Sequence, residues 1–244
     1  MSNFDRNAYS QFGPVAGRAG VAEYDQGLRA YMLGIYNHMT LALGISALVA
    51  FGMYTTGMAR ALFSTPLAYV VIFAPLAFVL VLSWRFERMS YSSLLGTFLA
   101  FAAVMGLSLS SIFLMYRVGS VVQVFAITAA SFGALSLYGY TTRRSLSAMG
   151  SFLVMGLFGI IIAGLVNIFL QNSGLQFVIN ILGVGIFAGL TAWDTQRLKE
   201  QYDYVAGDAE MMGKASLMGA LTLYLDFINM FQFLLSLMGQ RNND

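Results

Sequence analysis

The chain predicts an all-α integral membrane protein of seven transmembrane helices, with the last helix central and the other six around it. Three observations point there. The composition is 58% hydrophobic and only 10% charged, and the mean hydropathy is +0.72, whereas soluble domains carry about 25% charged residues. Apolar runs long enough to cross a bilayer, roughly 20 residues each, recur along the chain. The last of them, Ala215 to Gln240, holds a single charged residue, Asp226. At about 1.5 Å per residue that carboxylate lies roughly 16 Å from the start of its run. An acid at such depth is costly in lipid, so neighbouring helices or a water-filled cavity are expected around it.

Residues 1–27 are polar, mixed in charge and interrupted by Gly13, Pro14, Gly17 and Gly20, which reads as a mobile cytoplasmic tail. They lack the basic start, short apolar core and small-residue cleavage site of a signal peptide, so the first apolar run is expected to remain as a span. The membrane domain then covers residues 28–240. Its spans are expected at about 31–54, 65–84, 91–115, 118–141, 147–170, 174–195 and 215–238, with 241–244 a short C-terminal tail. His38 is the only ionisable group of the first span. Pro75, near the middle of the second, lacks a backbone donor and is a candidate hinge. No charged residue occurs between Ser145 and Trp193. Gln171-Asn172-Ser173-Gly174 supplies the turn that divides this stretch into spans five and six.

Basic residues give the orientation. With the tail inside, Arg6, Arg18, Arg29, Arg85, Arg88, Arg143, Arg144, Arg197, Lys199 and Lys214 share that side, leaving Arg60, Arg117 and Arg241 outside. This positive-inside bias puts the N-terminus in the cytoplasm and, after seven spans, the C-terminus outside. A re-entrant last run would return the C-terminus inside. Small residues, Gly185 and Gly189 in span six and Gly156, Gly159 and Gly164 in span five, suit close helix packing, though glycine is also simply frequent in membrane helices.

Several chemistries are excluded or unsupported. There is no cysteine and only one histidine, so disulfides, thiolate sites and paired-histidine metal motifs are out. No glycine-rich phosphate loop is visible, no cofactor is expected, and no nucleic-acid partner. The remaining chemistry lies in a few polar groups. On a helix, Gly219, Thr222, Asp226 and Asn229 fall on one narrow face with Gln232 on its flank. Asp194 closes span six in Trp193-Asp194-Thr195-Gln196, and its plainest partner is Arg197 at i+3. His38 reads as a satisfied bundle residue or a partner for a carboxylate. Arg85 and Arg88, ending span two, are topology anchors or long side chains able to reach inward to a carboxylate. If Asp194 and Asp226 meet, two carboxylates in a low-dielectric site do not easily both ionise and exchange protons as a unit. A nearby arginine favours the anions. Such an arrangement is a proton-operated switch between two packings.

Tyr224-Leu225-Asp226-Phe227-Ile228-Asn229-Met230-Phe231, together with Asp194 ending the sixth span, resembles the Bax inhibitor family, the transmembrane Bax-inhibitor-motif proteins, and within it the bacterial branch. The resemblance runs from about residue 31 to 237. It implies a seven-helix fold with the last helix at the centre, in the bacterial cytoplasmic membrane. It also implies a pH-sensitive calcium leak, with Asp194 and Asp226 as pH sensor, permeation site and weak, transient calcium site. The family's latching arginine falls on Arg88, with Arg85 one turn away. Thr222, Asn229, Tyr224 and Gln232 are the supporting polar residues. Trp193 departs from the pattern, standing where the family usually has a tyrosine. Calcium takes six to eight oxygen ligands, so two carboxylates helped by amides and water hold it weakly, which suits passage. The expected partners are therefore calcium, protons and the bilayer, and the chain is not expected to be an enzyme.

Two rivals are distinguishable. Aspartates on spans six and seven are also the layout of presenilin-type intramembrane proteases. Those carry Gly-x-Gly-Asp and Pro-Ala-Leu, whereas Leu223-Tyr224-Leu225 precedes Asp226 here and no Pro-Ala-Leu occurs. A non-conducting regulator of another membrane complex, such as an ATP-dependent membrane protease, would instead act through the N-terminal tail.

Overall fold

The computed structural model describes residues 13–242. Seven helices among them are long and apolar enough to cross a membrane. In chain order they are α1 (Gly13–Thr55), α3 (Leu67–Arg85), α4 (Tyr91–Met115), α5 (Val118–Thr141), α6 (Ser147–Leu170), α7 (Ser173–Val205) and α8 (Ala209–Met238), with a short α2 (Met58–Phe63) between the first two. A single 3-10 turn, Phe86–Arg88, follows α3. The ends are set by local chemistry. Gln171 takes a left-handed φ of 49° after α6, and Asn172 Oδ1 accepts from Leu175 N to cap α7. Asp208 Oδ1 accepts from the backbone of Glu210 and Met211 at the start of α8.

Three helices outrun the expected spans. α1 is helical from Gly13 onward, so the second half of the segment read as a tail is the first part of a helix; residues 1–12 of that segment lie outside the described residues. Pro14, read as a breaker, stands in the first helical turn, where its missing N–H breaks no helical bond. α7 continues to Val205 and α8 starts at Ala209. These extra turns mix charged and apolar residues, and they add Leu28, Leu198, Tyr202 and Val205 to the buried core. Helix there is held by packing, which a membrane-length window of hydropathy does not register.

α8 is the most buried helix: half of its most apolar stretch is enclosed, against 17% for α3 and for α6. It packs on α7, α1, α5 and α4, while α3 lies mainly on α4 and α6 mainly on α7. The centre therefore has four direct neighbours and two outer helices. Two crossings need glycine. A Cβ on Gly139 of α5 would stand 2.1 Å from the Ala192 carbonyl oxygen of α7, and one on Gly106 of α4 would stand 2.6 Å from that of Ser46 in α1. Of the Gly185 and Gly189 pair, Gly189 lies beneath Leu153 while Gly185 faces open space.

At its far end α8 is clasped. Arg117 N donates to Gln240 O at 2.9 Å and Asn242 N to Met115 O at 3.0 Å, and Gln240 N donates to Ser120 Oγ at 2.9 Å. The α4–α5 turn lies at the opposite end of the bundle from the α7–α8 loop, so α8 runs the full length and does not turn back.

Candidate functional site

The buried polar face of α7 carries Thr191, Asp194 and Thr195, all at most 5% exposed. The threonines are satisfied within the helix: Thr191 Oγ1 donates to Phe187 O at 2.8 Å and Thr195 Oγ1 to Thr191 O at 2.7 Å. Thr195 also meets Ser136 of α5 at 2.9 Å, and Ser136 meets the Tyr36 hydroxyl of α1. Asp194 points the other way, toward α8. Its neighbour Trp193 packs over Gly150 of α6, where an added Cβ would fall 2.2 Å from the indole. The Arg197 guanidinium lies over that indole, 4.9 Å from the ring centroid, and its Nη2 forms an ion pair with Asp194 Oδ1 at 2.8 Å. The indole thus serves by stacking in the place where a tyrosine would offer a hydroxyl.

From α8, Asp226 is likewise 5% exposed, and its carboxyl group comes within hydrogen-bonding reach of Asp194. A hydrogen bond between two carboxyl groups needs a proton on one of them, because an ionised carboxylate only accepts. Asp226 Oδ2 is buried with no hydrogen-bond partner, as is Asp194 Oδ1 apart from its ion pair with Arg197. Such an orphaned acceptor is uncommon in buried surroundings.

The pair sits in the wall of a cavity of about 740 Å³ between α6, α7 and α8. Thr222 and Asn229 line it too, each donating to its own helix, Thr222 Oγ1 to Met218 O at 3.1 Å and Asn229 Nδ2 to Leu225 O at 2.8 Å. Arg197 and Thr222 also border a second space of about 750 Å³, open at the α7–α8 loop end and edged by Glu200, Gln201 and Asp203. Asp194, Asp226, Thr222 and Asn229 thus line one cavity.

Other sequence candidates lie elsewhere. Gln232 is exposed. Tyr224, fully buried, faces α1: its hydroxyl meets Ser46 Oγ at 2.7 Å, and Ser46 Oγ donates to Ala102 O of α4, so the tyrosine donates. Tyr224 therefore ties three helices together away from the carboxylates. Arg85 and Arg88 are exposed at the end of α3, a helix that does not pack on α8; the cation at the pair is Arg197. Pro75 is buried within an unbroken α3. His38 is satisfied: Nδ1 donates to Gly34 O at 2.7 Å, leaving Nε2 to accept from Tyr91 at 3.3 Å. Among the described residues no cluster of three or more acidic or histidine side chains could hold a metal ion. Sequence reasoning missed Ser136 and Tyr36, whose signal is weak, and undervalued Arg197, whose signal was the i+3 spacing from Asp194.

The family model described as "Inhibitor of apoptosis-promoting Bax1" matches residues 28–243. A Rickettsia prowazekii protein is 44% identical over 223 residues, covering 90% of this chain and 93% of its own. The Escherichia coli protein named "Inner membrane protein YbhL" is 42% identical over 218 residues, covering 88% and 93%. A Caulobacter vibrioides protein is 42% identical over 249 residues, covering 98% of each chain.

Proposed function

The chain belongs to the Bax inhibitor family, and from that premise we propose that it is a pH-sensitive calcium leak of the bacterial inner membrane, with its N-terminus in the cytoplasm. The observation that carries this reading is the meeting of Asp194 and Asp226 in the wall of a cavity between α6, α7 and α8. The name of the Escherichia coli relative, an inner membrane protein, supports the location, and the distribution of arginine and lysine supports the orientation.

The mechanism follows from charge. While the two carboxyl groups share a proton they form a hydrogen bond and hold α7 to α8. When that proton leaves, the two like charges repel; unit charges about 4 Å apart do so by about 4 kcal/mol at an effective dielectric of about 20. A divalent cation entering from the loop-end space can neutralise both. Two carboxylates with Thr222, Asn229 and water supply too few rigid ligands to retain it, so the ion passes on down its gradient. Arg197 stands where a latch is required: its guanidinium neutralises Asp194 in the resting packing and, being half exposed, can swing to solvent.

Calcium flux into proteoliposomes, followed as pH is varied, tests the reading. The natural protein should show pH-dependent flux, and Asp194→Asn and Asp226→Asn should each remove the pH dependence. Flux with the same pH profile in both variants would overturn it.

A further inference from the structure

The cavity around the carboxylate pair is larger and more apolar than passage of a small ion requires. At about 740 Å³ it exceeds many times the roughly 30 Å³ share of one water molecule. Its α6 wall is hydrocarbon: Ile161, Leu165 and Ile168 line it, and the same three residues are exposed on the outer surface of α6. α6 is held by α7 and does not pack closely on α8. The space therefore continues between α6 and α8 to the lipid-facing side of the bundle.

Opposite that wall are the acids. Asp226 is 5% exposed, lines the cavity, and leaves Oδ2 without a partner, so no N–H donor of the protein reaches that oxygen. The charged side chains lining the cavity are Asp194 and Arg197 from α7 and Asp226 from α8; α1, α4, α5 and α6 contribute none. With one proton shared, the pair carries a single negative charge that Arg197 balances. A second cation can enter without net cost in charge only if that proton leaves.

We infer that this cavity binds an amphipathic organic cation drawn from the bilayer, an alkylammonium or alkylguanidinium, with its head on Asp226 and its tail along α6. The head donates N–H bonds to the two carboxylates, charge-assisted and hence among the stronger hydrogen bonds. The displaced proton departs toward the space shared by Arg197 and Thr222, one released for each cation bound. The tail replaces lipid or water against Ile161, Leu165 and Ile168. The inference uses the same carboxylates as the proposed leak, but it does not depend on ion conduction.

Trp193 lines the cavity, and the only other tryptophan, Trp84, is 91% exposed. A Trp84→Phe protein therefore carries a reporter confined to the site. Dodecylammonium titrated into this protein in non-ionic detergent should give a saturable change in Trp193 fluorescence. In weak buffer it should release about one proton per molecule bound. Dodecanol, with the same tail and no charge, should bind at least about tenfold more weakly. Asp226→Asn should lower dodecylammonium affinity by at least about tenfold and abolish proton release. A second variant leaves the acids intact: Gly164 lines the cavity, and a Cβ there meets no atom within 4 Å. Gly164→Phe should therefore fill the space and weaken binding while gel filtration and helical content stay unchanged, and it decides the matter if Asp226→Asn fails to fold. Equal binding of amine and alcohol, binding without proton release, or affinity unchanged in Gly164→Phe would each overturn the inference. All of this is measured without an ion gradient. A protein that binds the amine but passes no calcium refutes only the leak, and one that leaks without binding the amine refutes only the cavity's ligand.

Discussion

At the scale of single residues, Arg197 is the side chain whose removal reports most directly on the pair. It both stacks on Trp193 and forms an ion pair with Asp194. A guanidinium favours the ionised pair, so without it deprotonation becomes harder. Arg197→Ala should shift the pH dependence of calcium flux toward higher pH, whereas Arg85→Ala and Arg88→Ala, at exposed positions at the end of α3 and in the turn after it, should leave it in place. Flux profiles of the three variants measured side by side check this. Tyr224 gives a contrasting expectation. Its hydroxyl bonds Ser46 between α1 and α8, so Tyr224→Phe should lower stability by about 1 kcal/mol with no change in pH response, measurable as a lower melting temperature in detergent. The acids themselves were legible in the sequence because an isolated carboxylate in a long apolar run has few bland explanations. The pairing of Asp194 with Arg197 was legible from its i+3 spacing and is present, but its weight was not, because an i+3 pair at a helix end is common and usually weak. What it lacked in one dimension was the knowledge that Trp193 would be pinned by Gly150 and would hold the guanidinium over the acid.

At the scale of helices, hydropathy located all seven spans, and its errors fall where helices project beyond the apolar runs. The aromatic contacts of Tyr24 and Tyr31 with Tyr202, and the hydrogen bond from Tyr24 to Asp203, hold α1 to α7 in that region. No periodic or capping signal in residues 13–30 announces it, because the partner surface is distant in sequence. Glycine was legible as a packing device but not by position. Gly139 admits the Ala192 backbone, whereas Gly159 faces open space. Gly139→Ala should therefore force α5 and α7 apart and cost roughly 1–3 kcal/mol, while Gly159→Ala should be neutral or slightly stabilising. Thermal unfolding of the two variants in the same detergent gives the comparison.

At the scale of the whole molecule, the arrangement is a core of α1, α4, α5, α7 and α8 with α3 and α6 applied to its outside. The central position of the last helix followed from its acid: a carboxylate in mid-span has to be covered. Which helices cover it did not follow, since nearly every helix here is apolar all round and offers no face that names its neighbour. The division also separates the leak from the regulator reading. A regulator acting on another membrane complex through the N-terminal segment should lose that action when residues 2–12 are deleted. A leak built on α6, α7 and α8 should keep its flux, because the deletion leaves the docking of α1 on α7 intact. Flux assays on the truncated protein distinguish the two.

The pairing of Gln240–Asn242 with the α4–α5 turn limits how the central helix can move. Sliding α8 along its axis by even one residue, about 1.5 Å, would pull two backbone hydrogen bonds and the bond to the Ser120 hydroxyl out of register at once, so it is not a piston. Any rearrangement that opens a path beside the acids must come from tilting or rotation of the helices around a stationary rod, and a spin label on α6 should travel farther than one on the end of α8.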